Sequence, residues 1–155
     1  MINMVIRKAK IEDAKDLNNL LTLLIRDEKQ YDDSIDENFT VTNMYENYID
    51  DPTKFIYAAY IDDKIVGYLY GYCNDDSTLL IKKACLDALY VEKQYRGNGI
   101  ANKLIEEFKK WASLKNVKVI EVSVMYENKV AKNLYQKHNF NPIKQTMECD
   151  IDKDL

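Results

Sequence analysis

Glycine is scarce in this chain, with four in 155 residues. Two of the four, Gly97 and Gly99, stand two residues apart. Histidine is scarcer, with His138 alone, so a nucleophilic cysteine with a histidine partner has no local support. The three cysteines, Cys73, Cys85 and Cys149, are odd in number and widely spaced. They form no Cys-x-x-Cys pattern, which excludes a zinc ribbon and a disulfide framework and points to a reducing compartment. They read as buried thiols, and no metal is expected. No run approaches the roughly 20 apolar residues that span a bilayer. The N-terminus lacks the charged and apolar regions of a signal peptide. A cytoplasmic protein with no membrane partner is therefore expected. Positive charge is in deficit, 22 Lys and Arg against 26 Asp and Glu, for a net charge of −4. That leaves no basic footprint for nucleic acid and is compatible with a cationic substrate. Neither G-x-x-x-x-G-K-[ST] nor G-x-G-x-x-G occurs, so nucleotide-phosphate binders of those two types are disfavoured.

What is present centres on Leu86 to Ala112. A strand, Leu-Asp-Ala-Leu-Tyr-Val, leads into a polar turn, Glu-Lys-Gln-Tyr-Arg-Gly-Asn-Gly. An amphipathic helix follows, with Ile100, Leu104, Ile105, Phe108, Trp111 and Ala112 on one stripe. The first N–H groups of a helix lack intrahelical partners, and that end carries partial positive charge. Glycines there keep Cβ atoms out of the way, so the turn suits a phosphate. Arg96 adds a fixed cation. A tight turn that needs glycine for backbone reasons alone is an equal reading.

The 155 residues fit one domain, 1–155, with 46% hydrophobic residues to build a core. A strand at Val5 to Ala9 precedes a helix with Ala14, Leu17, Leu20, Leu21 and Leu24 at helical spacing. Residues 26–38 are polar and acidic, read as a solvated loop first and as a loop that steers a cationic amine second. A second helix is expected over Val41 to Ile49, ending before Asp51-Pro52. Phe55 to Ile61 and Ile65 to Cys73 form a hairpin around Asp62-Asp63-Lys64. In its second strand Val66, Tyr68, Tyr70 and Tyr72 share one face by alternation. Tyrosines so spaced pack a sheet or line a pocket. Strands are expected over Leu79 to Val91 and Val117 to Tyr126, parallel because a helix joins them. Asn128 caps a helix over Lys129 to Lys137, and Asn139 takes the left-handed position after it. Gln145 to Ile151 reads as a closing strand. The fold class is α/β, one mixed sheet with helices on both faces.

Two stretches resemble the GNAT superfamily of acetyl-CoA-dependent N-acetyltransferases. Leu89-Tyr90-Val91 followed by Gln94-Tyr95-Arg96-Gly97-Asn98-Gly99-Ile100-Ala101 is similar to the family's cofactor loop. Asn128-Lys129-Val130-Ala131 followed by Leu134-Tyr135-Gln136-Lys137-His138-Asn139-Phe140 is similar to its second motif, with Asn139 where a glycine is usual. The resemblance implies a GNAT-like acyl-CoA N-acyltransferase fold in which two central parallel strands splay around the pantetheine arm. It assigns Leu89, Tyr90, Val91, Arg96, Gly97, Asn98, Gly99, Ile100, Ala101 and Asn128 to acetyl-CoA. It makes Tyr135 the general acid near the sulfur, although the residues alone read Tyr135 as a core aromatic. Tyr90 or Val91 N–H would serve the oxyanion. Asp87 shares a strand with Leu89 and Val91, and by alternation their side. It is a candidate base or, equally, the partner of a lysine; Glu121 is a weaker candidate base. The implied reaction is acetyl transfer to a primary amine of a small molecule, polyamine or aminoglycoside-like, or of a peptide. A non-catalytic acyl-CoA sensor module on the same fold is the alternative. The resemblance also admits a homodimer.

Overall fold

The computed structural model describes residues 3–154. Strand β1 is Met4–Lys8, and helix α1 is Ala14–Glu28. Strands β2 (Lys54–Ile61), β3 (Lys64–Asn74) and β4 (Lys83–Val91) follow. Then come helix α2 (Ile100–Leu114), strand β5 (Val119–Val122), helix α3 (Lys129–Lys137) and a short helix α4 (Ile151–Asp154). The sheet has five strands in the order β1-β2-β3-β4-β5. Its neighbours are antiparallel except β4 and β5, which run parallel through the α2 crossover.

Two apolar layers sandwich this sheet. On one face, Leu17, Leu20 and Leu21 of α1 pack against Ile56, Tyr68, Tyr70, Ala88 and Tyr90. On the other, Ile100, Leu104, Ile105 and Phe108 of α2 pack against Phe55, Val66, Leu69, Leu86 and Val91, with Leu134 and Tyr135 of α3 beside them. The helical stripe of α2 and the hairpin are thus where the pattern put them. The hairpin turn is tighter than expected: Lys64 pairs with Ile61, and only Asp62 and Asp63 turn, both left-handed at φ 50° and 63°. Such a turn matches the twist of the flanking strands.

Four expected elements differ. The strand expected from Leu79 begins only at Lys83. Val41 to Ile49 is no helix; only Tyr45–Asn47 forms a single 3₁₀ turn. Val41, Tyr45 and Ile49 are buried at helical spacing, but Asn43 is left-handed at φ 53°. Side chains of α1 take the backbone donors instead: Thr22 Oγ1 accepts from Val41 N–H at 3.0 Å and Asn18 Oδ1 from Tyr45 N–H at 3.1 Å. The expected strand at Gln145 to Ile151 is irregular and exposed up to Asp150, and Ile151 opens α4. Its apolar residues find no layer to bury against, with Met147 at 86% exposure. Strand β5 is shorter than the Val117 to Tyr126 run and ends at Val122. Of the three cysteines, Cys73 is buried, Cys85 half-buried and Cys149 exposed, so the reading of all three as buried fails at Cys149.

Two β-bulges break the alternation on which side-chain directions were read. Between β2 and β3, Tyr60 pairs with Ile65 and Ala59 with Gly67, so Val66 has no partner. Val66 therefore joins the α2 layer, whereas Ile65, Tyr68 and Tyr70 face α1. Between β3 and β4, Tyr70 pairs with Ala88 and Gly71 with Leu86, so Asp87 is the extra residue. The second bulge shapes the site.

Candidate active site

Pairing between β4 and β5 runs from Lys83 with Val119 to Leu86 with Val122 and stops there. Strand β4 continues to Val91 with no strand beside it on that edge among the described residues. A β-strand edge left open inside a protein exposes N–H and C=O groups that need partners. This is the splayed pair that the resemblance implied, and its point of parting coincides with the Asp87 bulge.

The far wall of the gap is α3. Asn128 caps it, accepting Ala131 N–H at 3.1 Å. Asn139 is left-handed at φ 68°. Asn139 N–H bonds Gln136 O and Phe140 N–H bonds Tyr135 O, both at 3.0 Å. That closes the helix with paired return bonds and a contact between Tyr135 and Phe140, whose rings lie 5.5 Å apart. The asparagine does what glycine does at this position and so fixes Tyr135. Tyr135 packs in the same layer as Leu89 and Val91. Burial, and then the charge of Glu28, push its hydroxyl up to about 12, so it stays protonated at neutral pH.

At the other end of the gap, Gly97 and Gly99 are left-handed at φ 82° and 77°, and nothing lies within 4 Å of a Cβ built on either. The backbone therefore favours glycine at both positions, and the space above them is open. No side chain caps the N-terminus of α2. Those N–H groups suit a pyrophosphate. Ile100 is buried, so it offers backbone alone. Asn98 Nδ2 is turned inward, donating to Tyr95 O at 2.9 Å. The Arg96 guanidinium is engaged elsewhere: its Nε donates to Val91 O at 2.7 Å, and its Nη2 lies 3.6 Å from Asp27. It also faces the Tyr90 ring at 5.3 Å. Arg96 thus ties the end of α1 to the end of β4.

Asp87 does not share the side of Leu89 and Val91. The bulge turns it to the α1 face, into an open cleft of about 370 Å³ lined by Met44, Tyr48, Lys54, Tyr70, Tyr72 and Asp87. Burial raises its carboxyl above the usual range. Among the described residues no lysine pairs with it. Glu121 is excluded as a base by its own contacts. It is paired with Lys83 at 2.8 Å, and that bond holds its carboxyl below the usual range. Tyr68 is sheet packing, fully buried and bonded hydroxyl to hydroxyl with Tyr45 at 2.9 Å. Tyr70 and Tyr72 line the cleft, so the two readings of the tyrosine row divide along the strand. Cys85 lies beside Tyr72 and, with burial, pushes the tyrosine hydroxyl up to about 12.

One group was expected only as part of an acidic run. Glu28, the last residue of α1, is half-buried and raised by burial first, then by the charges of Asp32 and Asp87. It falls in the run read as a solvated loop. The signal was present: Leu17, Leu21, Leu24 and Glu28 continue one helical stripe.

Residues 18–140 match the sequence model of the acetyltransferase (GNAT) family. The chain belongs to that family. A streptothricin acetyltransferase from Escherichia coli is 34% identical over 92 residues, 58% of this chain and 49% of that protein. This GNAT chain thus spans about half the length of that relative in the match. A tetramutant of the BH1408 protein from Bacillus halodurans superposes with a TM-score of 0.83 at 23% identity, over 95% of this chain and 99% of that one. The aminoglycoside acetyltransferase meta-AAC0020, from an uncultured soil metagenomic sample, superposes at 0.72 and 17% identity, over 95% and 94%. The last two share the GNAT fold with this chain.

Proposed function

We propose that this GNAT protein transfers the acetyl group of acetyl-CoA to a primary amine of a small cationic molecule. The observation that carries the reading is the parting of β4 from β5 at Leu86, with Tyr135 on one side and an unpaired carboxylate, Asp87, opening into a cleft on the other. Backbone N–H groups from Gly97 to Ala101 hold the pyrophosphate, and the open edge of β4 at Leu89 pairs with the amides of the arm, Val91 O being taken by Arg96. The amide nitrogen of Asn128 faces the same arm, its oxygen being used as the cap.

The reaction is direct. The amine nitrogen forms a bond to the thioester carbonyl carbon, the carbon–sulfur bond breaks, and the sulfur leaves as a thiolate. The backbone N–H of Val91, which faces the open edge while Tyr90 is turned into the β3 ladder, stabilises the oxyanion. Asp87, with its raised carboxyl, takes the amine's proton directly or through water. Tyr135 donates to the leaving sulfur. A thiol has a pKa of roughly 8.5, well below that of the Tyr135 hydroxyl. Full proton transfer is therefore uphill, and Tyr135 acts mainly by hydrogen-bonding the developing thiolate. The acceptor's positive charge is supported by the unpaired acid in the cleft and by the rings of Tyr70 and Tyr72 that line it.

Thiol release from acetyl-CoA with a panel of primary amines tests the reading. Turnover on cationic small-molecule amines, abolished or strongly reduced in Tyr135→Phe, is expected. Tight acetyl-CoA binding with no thiol release on any amine would overturn it in favour of a binding module.

A further inference from the structure

We infer that the outer edge of β5 is an interface for a second copy of this chain, and that the occupant is the second copy's C-terminal segment, residues 143–150. The two copies exchange these segments reciprocally, about a twofold axis. The inference is independent of the acetyl-transfer reading and of the acceptor.

The observations lie in the last part of the chain. The described residues after Ala112 are half-buried at most, although they include β5 and the whole of α3. Apolar side chains stand open there, Tyr126 at 80% exposure and Val130 at 79%. Strand β5 ends the sheet, and among the described residues no strand lies on its outer edge. An unpaired strand edge is a template for pairing with another chain. The same chain carries a segment with the complementary lack. From Asn141 to Asp150 every residue is exposed and none is in a helix or strand. Yet Ile143, Met147 and Cys149 fall on one side by alternation, and Lys144, Thr146, Glu148 and Asp150 on the other. That is the pattern of a half-buried strand, and its own sheet does not take it up.

Charge complementarity identifies the occupant. Residues 114–142 hold five lysines against Glu121 and Glu127, and Glu121 is already paired with Lys83. The segment's end is acidic, with Glu148, Asp150 and Asp152. Among the described residues no ion pair joins that segment to the rest of the chain, and Lys118, Lys129 and Lys132 pair with no acid. A basic edge and an acidic strand are thus both unmatched in one copy, and a twofold axis matches each of them twice. The segment leaves its own fold from a fixed point: Lys109 Nζ bonds His138 O at 2.6 Å, and Phe140 packs on Tyr135. Pairing on β5 covers the open apolar residues beside it and steadies α3, the helix that carries Tyr135.

The test is sedimentation-equilibrium ultracentrifugation of the full chain over a dilution series, with hydrogen exchange of the same samples followed by mass spectrometry. A dimer is expected, weakened by added salt, with slow exchange in residues 119–122 and 143–150. Met147→Asp should raise the dimer Kd by about 30-fold or more and speed exchange in both stretches. Met147 is 86% exposed in the single copy, so the fold of one copy tolerates the change; unaltered far-ultraviolet circular dichroism checks this. Removal of residues 143–155 should give a monomer. A full chain that is monomeric throughout overturns the inference, whether residues 143–150 exchange freely or are protected by pairing within the one copy. So does a dimer that survives Met147→Asp and the truncation, or one in which residues 143–150 exchange freely.

Discussion

Tyr135 owes its position to two asparagines and its protonation to burial. The hydroxyl is pushed up to about 12, so it remains a donor across any working pH. Tyr135→Phe is expected to lower kcat by about 10²- to 10³-fold, the range of a lost donor to developing charge, while acetyl-CoA affinity by calorimetry stays near wild type. Glu28 and Asp87 show the opposite situation, with groups arranged at a cost in stability. Both carboxyls are raised in the folded protein relative to their ordinary values of 4.5 and 3.8. The folded state thus binds protons more readily than the unfolded one just above those values. Stability contributed there falls as pH rises through the folded pKa, and at pH 7 both charges are unfavourable. Glu28→Gln and Asp87→Asn are each expected to raise Tm at pH 7, without acceptor, by about 1–4 °C in calorimetry. A fall in Tm in both would show that the charges are satisfied.

At the scale of elements, the bulge in β4 matters most. It ends pairing with β5, opens the gap and aims Asp87 at the α1 face. Nothing in the Leu86 to Val91 sequence marks it, because an inserted residue is visible only against its partner strand. Simple alternation therefore put Asp87 on the wrong side. The helices were legible where apolar spacing and caps agreed: Asn128 and Asn139 read as helix boundaries and sit there. Val41 to Ile49 misled because its buried residues follow helical spacing while α1 side chains bind its backbone. Asn128→Ala should destabilise the protein by about 1 kcal/mol in urea unfolding, the usual cost of a lost cap, and lower kcat through Tyr135. On the opposite layer, a Cβ at Gly71 would lie 2.4 Å from Phe108 Cζ. Gly71→Ala should cost about 1–3 kcal/mol through overpacking, read the same way.

For the molecule as a whole, family membership was readable from two motifs at their separation, and the sheet with its two helical layers from the periodicity. The open cleft beside the bulge was not, because its lining is assembled from residues far apart in sequence: Tyr48 of a loop, Lys54 of β2, Tyr70 and Tyr72 of β3, and Asp87 of β4. Its electrostatics predict a pH profile. With a cationic amine, kcat/KM should fall on the acid side with an apparent pKa above the ordinary carboxylate value of 3.8. Asp87→Asn should remove that limb. A limb at the ordinary value in the wild-type protein would mean that neither carboxylate is desolvated.

The central claim is that one slot joins the glycine turn to Tyr135 along the open edge of β4. A crystal structure with coenzyme A bound tests it most directly. The account predicts pyrophosphate oxygens about 3 Å from backbone nitrogens between Gly97 and Ala101, the arm between β4 and β5, and the thiol beside the Tyr135 hydroxyl. A pyrophosphate away from Gly97 and Gly99, or a thiol remote from Tyr135, would contradict it.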